Sequence, residues 1–483
     1  MRYFRCYPQS GNAPHAVKST RLTRGDVLAA SDGLKKLIAT AYEVSTLCSG
    51  LCGGTEMAGK ARERRAIVVG GSIAGLFVGA FLRRIGWRVD IYERSSIELI
   101  GRGVGIFATH LELFEALDKC GAGTVDIGVI VYKRITFDRK GSVIAEKPQL
   151  QILTSWDRLR QVLLKAIDRQ RYHFGHAFER VEQDGSGVQV YFANGRDERA
   201  DLLVGCDGFR SGVRAQLVPK AQPIYSGYYI WRGAPNESDL SAETRRTMFP
   251  YLSFFVGEQL QAFGYPISGI DDELRAGHRR YNFGWYRVAD AATLQQICVD
   301  DNGREYEFGV PPPLVRKNLV ADMRAEAETL LPPQYVDCLH HIEQPFFTPV
   351  YDFCSPSLVY GRVAMVGDAA STPRPHMGFG VSKAGAEAQA LAEALASYDD
   401  IDRALGAYNT VRQPLSKRIV SHGRKLGMQL GVGITTDEDR SFAKLLQTPK
   451  GILDWIGIPN FLDARPQIGV SPAAAYQNWL GQN

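Results

Sequence analysis

Ala66-Ile67-Val68-Val69-Gly70-Gly71-Ser72-Ile73-Ala74-Gly75 decides the fold of this chain, together with Arg88-Val89-Asp90-Ile91-Tyr92 and the Glu93-Arg94 that follows. The apolar run reads as a buried strand and the glycines as a tight turn. A helix then leads to a second strand that ends at an acid. That order is the sequence form of a dinucleotide site. Backbone N–H groups of the turn and the helix N-terminus face a pyrophosphate, and the acid accepts from a ribose hydroxyl. Gly70, Ser72, Ile73, Ala74 and Gly75 are the binding candidates in the turn, with Glu93 and Arg94 at the end of the second strand.

The pattern G-x-G-x-x-G is met in part. Gly70 and Gly75 fit its first and third glycines, and Ser72 stands at the second. Serine is small enough to let a phosphate approach, at some loss of backbone freedom. Gly79 permits close helix–strand packing, and Glu93 follows at the expected spacing of about 20 residues. A competing reading takes Ala66–Leu82 as a membrane span, since Ser72 is its one polar residue. A span needs about 20 residues, the glycines fall at motif positions, and Arg83-Arg84 ends the run. The nucleotide site is the better reading, and no membrane partner is expected.

The 483 residues, 45% hydrophobic and 23% charged, describe a globular chain with ample core and two or three domains. A net charge of +5 suits an anionic cofactor or substrate and does not call for nucleic acid. Eight cysteines without C-x-x-C pairs argue against a disulfide framework or a zinc site, so reduced thiols in a cytoplasmic enzyme without metal are expected. Residues 1–60 differ from the rest. Arg2, Arg5, Lys18, Arg21 and Arg24 precede the first acid, Asp26, and no apolar signal core is present. The segment reads as a poorly ordered or non-native extension, with Met57 as the favoured start and an organelle transit segment as the alternative.

Gly101-Arg102-Gly103-Val104-Gly105-Ile106 is a glycine-rich turn with one cation, either an ordinary loop or a place for Arg102 beside a diphosphate or ring. Thr154-Ser155-Trp156-Asp157-Arg158-Leu159-Arg160 opens an amphipathic helix with Leu159, Val162, Leu163 and Ile167 on its apolar face. Arg160 is assigned to the cofactor, against a reading as solvated surface. Between Phe178 and Leu203 the alternation is antiparallel, with a hairpin turn at Gln183–Gly187. The following strand stops at Cys206-Asp207-Gly208, which places a carboxylate at a strand's C-terminal end, where α/β sheets bind ligands. A third buried strand ends at Gly367-Asp368. A loop with Pro373, Arg374, Pro375, His376, Gly378 and Gly380 follows, and then an Ala-rich helix through Leu395. Asp368 can accept from a ribitol or ribose hydroxyl, and the loop with its helix N-terminus can donate to a ring edge.

In this order, over about residues 65–425, the three segments resemble the class A flavoprotein monooxygenases, the p-hydroxybenzoate hydroxylase-like group. Asp207-Gly208 resembles that family's DG motif, shared by FAD and NAD(P)H, and Gly367-Asp368 its GD motif at the ribityl chain. The resemblance implies an α/β fold: a Rossmann-like FAD-binding domain, a mixed β-sheet substrate domain and C-terminal helices. It implies FAD as cofactor and NADH or NADPH as transient reductant, without a second nucleotide domain. The expected division is 61–222 with 345–425 for FAD, 223–344 for substrate, and a C-terminal helical tail at 426–483.

Three stretches are similar to a subgroup of 2,6-dihydroxypyridine hydroxylase-like enzymes: Arg374-Pro375-His376 through Lys383-Ala384, Tyr228 through Gly233, and Phe283 through Arg287. Ser382 stands where the family usually has Asn. The resemblance implies hydroxylation of a hydroxylated, pyridine-type ring by O₂ through a flavin C4a-hydroperoxide. The alternatives are a benzenoid phenol or polycyclic substrate, or a non-hydroxylating flavoprotein oxidoreductase. A sensor or structural protein without turnover is a further rival, and it would not consume NAD(P)H when an aromatic is added.

The cofactor does the difficult chemistry, and the protein must supply a base or proton path for the substrate hydroxyl. His110, His376, Tyr228, Arg232 and Tyr265 are the catalytic candidates. The related pyridine hydroxylases place a pocket His at the position of Phe107, so His110 departs from their pattern. Strands over Leu252–Phe255, Gln261–Ile267 and Arg280–Val288 are expected to roof the pocket, with Trp231, Phe283 and Trp285 as packing. The tail carries no chemical motif and either packs on the FAD domain or makes a homodimer contact.

Overall fold

The computed structural model describes residues 63–99, 105–108 and 110–457, and a two-residue ladder pairing Tyr3–Phe4 with Thr20–Arg21. The ladder belongs to a unit of its own, Met1–Arg62, and the rest to a second compact unit. The reading of residues 1–60 as an extension, the role given to Arg102, and residues 458–483 of the tail lie outside the described residues.

In chain order the second unit begins with β1 (Arg65–Val69), α1 (Ile73–Arg84), β2 (Arg88–Tyr92), β3 (Gly105–Phe107) and α2 (Leu111–Lys119). β4 (Val129–Phe137), β5 (Val143–Ser155), α3 (Trp156–Leu164) and β6 (Tyr172–His173) come next. Then follow β7 (Phe178–Asp184), β8 (Gly187–Phe192), β9 (Asp197–Ala200), β10 (Leu202–Gly205) and α4 (Gly212–Leu217). The middle holds β11 (Ile224–Gly233), α5 (Ala242–Met248), β12 (Leu252–Gly257), β13 (Leu260–Ile267), β14 (Arg280–Val288), α6 (Ala291–Ile297), α7 (Lys317–Leu330) and α8 (Pro333–His340). The chain returns through β15 (Phe346–Cys354), β16 (Val359–Tyr360), β17 (Val363–Met365) and β18 (Ser371–Thr372). α9 (Gly380–Ser397), α10 (Ile401–Gly427), α11 (Asp437–Leu446) and α12 (Pro449–Trp455) end the described chain.

A six-stranded sheet runs in the order β16-β17-β10-β1-β2-β6, parallel except for β16. Its central strands are buried along nearly their whole length, because helices cover one face and the small sheet of Phe178–Ala200 the other, and this is why they read as unbroken apolar runs. The stretch weighed as a membrane span is strand, turn and a 12-residue helix. No helix among the described residues is long and apolar enough to cross a membrane. The hairpin read from Phe178 to Leu203 forms a small antiparallel sheet, β7-β8-β9.

The second large sheet has nine strands, β18-β15-β11-β14-β13-β12-β4-β5-β3, antiparallel except where β12 meets β4. It does not respect the division expected at 222/223 and 344/345. β3, β4 and β5 come from the segment assigned to the FAD domain, and β15 from its return. The physical reason is pairing: Leu252–Phe255 lies in register with Arg134–Phe137, so the aromatic strands continue a sheet already begun upstream.

Pairing also sorts the side chains. In the ladders β11–β14 and β13–β14, Arg232 pairs with Gly284, Ile230 with Tyr286, Tyr265 with Asn282 and Gln261 with Tyr286. Paired residues share a face, so Tyr228, Arg232, Gln261, Tyr265, Asn282 and Tyr286 all point one way. The opposite face carries Trp231, Tyr281, Phe283 and Trp285 into a core closed by α5, α7 and α8. The packing role expected for the two tryptophans and Phe283 is the one the structure gives them.

Candidate cofactor and substrate site

Three turns meet at the C-terminal edge of the parallel sheet. Val69 pairs with Gly205, and Gly205 with Met365, so the chain leaves β1 at Gly70, β10 at Cys206-Asp207 and β17 at Val366-Gly367-Asp368 side by side. β1 sits between β2 and β10, where the strand order reverses, the position at which open α/β sheets bind ligands.

The first turn is built by close approach. Gly70 has φ +104°, and a Cβ on it would strike the Cys206 carbonyl. A Cβ on Gly75 would strike the Gly70 carbonyl, and one on Gly71 the Tyr172 hydroxyl. Ser72 caps α1 with its backbone and makes no side-chain capping bond; Ile73 is buried and Ala74 half-buried. The N-terminus of α1 carries no acidic residue, so its partial positive charge is uncompensated. Glu93 is buried, accepting from Gly71 N–H and Ser95 N–H, both at 2.9 Å. Its carboxylate keeps further acceptor capacity. Arg94 is exposed beside it.

Arg160 is a buried cation in the same corner. Nη2 meets Glu98 at 2.8 Å and the Tyr172 hydroxyl at 3.5 Å, and that hydroxyl donates to Gly71 O at 2.9 Å. Nε and Nη1 have no partner among the described residues. A buried guanidinium with two idle donor groups next to a glycine turn fits an anion. The solvated-surface reading is thereby corrected: α3 turns Arg160 inward, and Ser155 caps that helix by accepting from Arg158 N–H.

The two aspartates differ. Asp207 accepts from the Ser211 hydroxyl at 2.6 Å and from Val213 N–H at 3.2 Å, fastening the turn to α4. Asp368 makes no side-chain hydrogen bond among the described residues, and burial pushes its carboxyl above the ordinary range. Burial raises Asp207 as well, against its hydrogen bonds. Beyond Asp368, Pro375 opens a short 3₁₀ turn, Gly378 has φ +59° and abuts the Phe107 ring, and Gly380 starts α9 with open space where a Cβ would stand. α9 has neither a side-chain cap nor an acid in its first turn.

His376 is buried in this loop. Its Nε2 lies 2.8 Å from the Tyr228 hydroxyl, its Nδ1 3.4 Å from Gln429, and its ring 4.6 Å from that of Tyr286. Arg374 reaches the same tyrosine hydroxyl at 3.5 Å and pairs at 2.8 Å with Asp352, which Arg424 also holds. Burial, and then the Arg374 charge, lower His376 to about 3, so the imidazole is neutral at neutral pH. His110, N-cap residue of α2, is also buried, with its ring edge-on to Phe379 at 5.1 Å. Burial lowers it to about 4, against hydrogen bonds to the Met377 and Gly378 backbone, and its Nε2 has no partner among the described residues. The surface position open to His110 from its place before Leu111-Glu112 is excluded.

Arg232, half-buried on the polar face of the large sheet, makes no hydrogen bond or ion pair among the described residues. Tyr265 and Tyr286 are buried there with hydroxyls that likewise have no described partner. Burial raises both phenols, and the Arg232 charge acts against that rise in each. Tyr265 touches the Phe107 ring at 5.0 Å, which joins this group to the Gly378 loop.

Four contributors escaped the sequence reading. Tyr286 stood inside a recognised stretch without a role. Gln429, Arg134 and Glu387 lay where no motif pointed, and Lys383, the partner of Glu387, stood in a recognised stretch without a role. Arg134 is buried in β4, donates to Gln151 at 2.7 Å and to the carbonyls of Leu453, Ile456 and Gly457, while Gly457 N–H donates to His376 O at 2.8 Å. The tail is therefore packed on the cofactor loop up to residue 457. The one available signal was a Lys and a Glu four apart in the Ala-rich start of α9.

The model for the FAD binding domain matches residues 63–241, and one described as FAD binding domain-like matches 225–352. The chain is 29% identical over 374 residues to 2,6-dihydroxypyridine 3-monooxygenase of Paenarthrobacter nicotinovorans, covering 76% of this chain and 92% of that one. It is 25% identical over 376 residues to an FAD-dependent urate hydroxylase of Klebsiella pneumoniae, covering 75% and 89%. The structure of 2,6-dihydroxypyridine-3-hydroxylase from Arthrobacter nicotinovorans superposes with a TM-score of 0.72 at 29% identity, over 77% of this chain and 94% of that one. The converging turns and these relatives agree: the chain carries an FAD-binding domain and is an FAD-dependent monooxygenase, similar to the class A flavin monooxygenases.

Proposed function

We propose that this enzyme hydroxylates a hydroxylated, pyridine-type aromatic ring, with O₂ as co-substrate and NADH or NADPH as reductant. The observation that carries this reading is the polar face of the large sheet. There an uncompensated guanidinium, Arg232, lies among the partnerless hydroxyls of Tyr265 and Tyr286, next to the loop of His376. A ring carrying ionisable oxygens supplies both the negative charge and the acceptors that this face lacks. The rings named for two relatives, dihydroxypyridine and urate, are of that chemistry.

The residues of the parallel-sheet edge fit FAD. Gly70, Ser72, Ile73, Ala74 and Gly75 offer the close backbone approach and helix N-terminus that a pyrophosphate needs, and Arg160 the counter-charge. With FAD bound, Glu93 and Arg94 would meet the adenosine ribose and Asp368 would accept from the ribityl chain, while Asp207, bonded to Ser211 and Val213, would hold the turn beside it. Pro375, Gly378 and Gly380 shape the loop and the N-terminus of α9 that face the ring. Reduced FAD supplies the activation of O₂.

On the substrate side, Arg232 holds the anionic oxygen and Tyr265 donates to a second. His110, with an Nε2 that has no partner among the described residues, would take the substrate hydroxyl proton. Tyr228 and His376 engage each other and brace the loop. The balance is one reductant, one O₂ and one proton consumed per ring C–H converted to C–OH, with water and the oxidised nicotinamide released.

The test is oxidation of NADH and of NADPH by the FAD-loaded protein with a panel of hydroxypyridines and hydroxybenzoates, with product identified. Stimulation by hydroxypyridines with hydroxylated product supports the reading. Stimulation confined to hydroxybenzoates overturns the ring assignment and leaves the monooxygenase class intact.

A further inference from the structure

Behind the Gly367-Asp368 turn lies an ion pair that the contacts assigned to FAD do not use. Lys383 and Glu387, one turn apart on α9, are both fully buried, with Nζ and Oε2 3.0 Å apart. Each also grips Gly367. Gly367 N–H donates to Glu387 Oε2 at 2.8 Å, and Lys383 Nζ donates to Gly367 O at 2.8 Å. The Ser416 hydroxyl, from α10, donates to Glu387 Oε1 at 2.9 Å.

Stability alone is a poor reason for such a pair. Each buried ion forfeits several kcal/mol of hydration, and apolar replacements of similar volume are often as stable or more so. The geometry offers a better reason. The N–H that Glu387 holds belongs to the peptide before Gly367, and the carbonyl that Lys383 holds to the peptide after it. Fixing both planes fixes φ and ψ of the one residue between them, which sits at φ +71°. That sets the direction in which the chain enters Asp368. The turn has little slack on its other side, since a Cβ on Gly367 would lie 2.8 Å from the Ala74 Cβ at the start of α1.

We propose that Lys383 and Glu387 are positioning residues for FAD. By clamping Gly367 from both sides they aim the Asp368 carboxylate at the ribityl chain and lock the start of α9 to the turn of α1. The pair touches neither substrate nor reacting atoms and acts through Asp368. The inference rests on FAD as cofactor and is independent of which ring is hydroxylated.

The experiment measures FAD affinity by quenching of flavin fluorescence, the visible spectrum of the bound flavin, and melting of the apoprotein, all without aromatic substrate. Lys383→Met alone leaves Glu387 buried and unpaired and is expected to melt early. The double variant Lys383→Met, Glu387→Met removes both charges. It is expected to melt near the wild-type apoprotein, to bind FAD about tenfold more weakly or worse, and to shift the flavin band, since charged hydrogen bonds are worth about 1.5–3 kcal/mol. Ser416→Ala keeps both charges, loosens Glu387, and is expected to weaken FAD by about threefold, at the low end for a neutral donor. Wild-type FAD affinity and spectrum in the double variant overturn the proposal. Should the double variant not fold, wild-type affinity in Ser416→Ala overturns it.

Discussion

The two sheets solve different problems with different materials. The edge of the parallel sheet offers a site made of backbone: three turns, each with a glycine at positive φ, and helix N-termini without acidic residues. The proposed substrate site on the nine-stranded sheet would be made of side chains, Arg232, Tyr265 and Tyr286, brought to one face by cross-strand pairing. A site made of backbone tolerates almost no change at its glycines. One made of side chains can be altered residue by residue, which lets one cofactor cradle serve many rings.

If that contrast is right, the largest effect comes from Gly70→Val. The added side chain meets the Cys206 carbonyl and the residue loses its φ of +104°, so bound flavin should be absent from the purified protein by its visible spectrum. Next is Arg160→Met. It keeps the stem and removes the idle donors, and should weaken FAD by about ten- to a hundredfold, as loss of charged hydrogen bonds predicts. In the FAD-loaded protein, Arg232→Gln should raise the dissociation constant for the ring substrate about tenfold and leave FAD content unchanged. Trp285→Phe, on the opposite face of the same sheet, should lower the melting temperature and leave that constant alone. Equal effects on substrate from these two would break the assignment of faces.

The smallest expected effect is on acid stability. His376 is lowered to about 3 and His110 to about 4, so between those values and the ordinary value near 6.5 the unfolded chain binds protons that the folded chain does not. Stability from these groups is therefore full above pH 6.5 and is lost as pH falls toward 4. Melting temperature against pH should decline more gently in His376→Gln than in the wild type. A parallel decline would mean that the imidazole is not held neutral.

The same contrast explains what the sequence disclosed. Gly70 and Gly75 stood out because a Cβ at either would strike backbone, and Glu93, Asp207 and Asp368 because each acid follows a buried apolar strand. The strands from Leu252 to Val288 were legible from their richness in aromatics, and alternation separated Trp231 and Trp285 from Arg232 once the register was known. The register itself, which joins β12 to β4, depends on contacts more than a hundred residues apart, so the domain division drawn along the chain missed it. Gln429 and Arg134 were silent because a lone polar residue has no pattern until its partners are placed. For Arg160 the sequence left a surface reading open beside the cofactor role, and its burial against Tyr172 and Glu98 closes the surface reading.

Arg134 gathers the carbonyls of residues 453, 456 and 457, and Gly457 N–H meets the His376 carbonyl. This sets a schedule for biosynthesis. The strands that carry the three turns are drawn from residues 65–69, 202–205 and 363–365, and the loop they feed is tied off by residue 457. A nascent chain still lacking its last stretch can form the first βαβ unit on the ribosome, but the cofactor cradle closes only when almost the whole chain has emerged. Flavin capture then waits for residue 457, and truncation before it is expected to leave polypeptides that carry the nucleotide motif intact and hold no flavin.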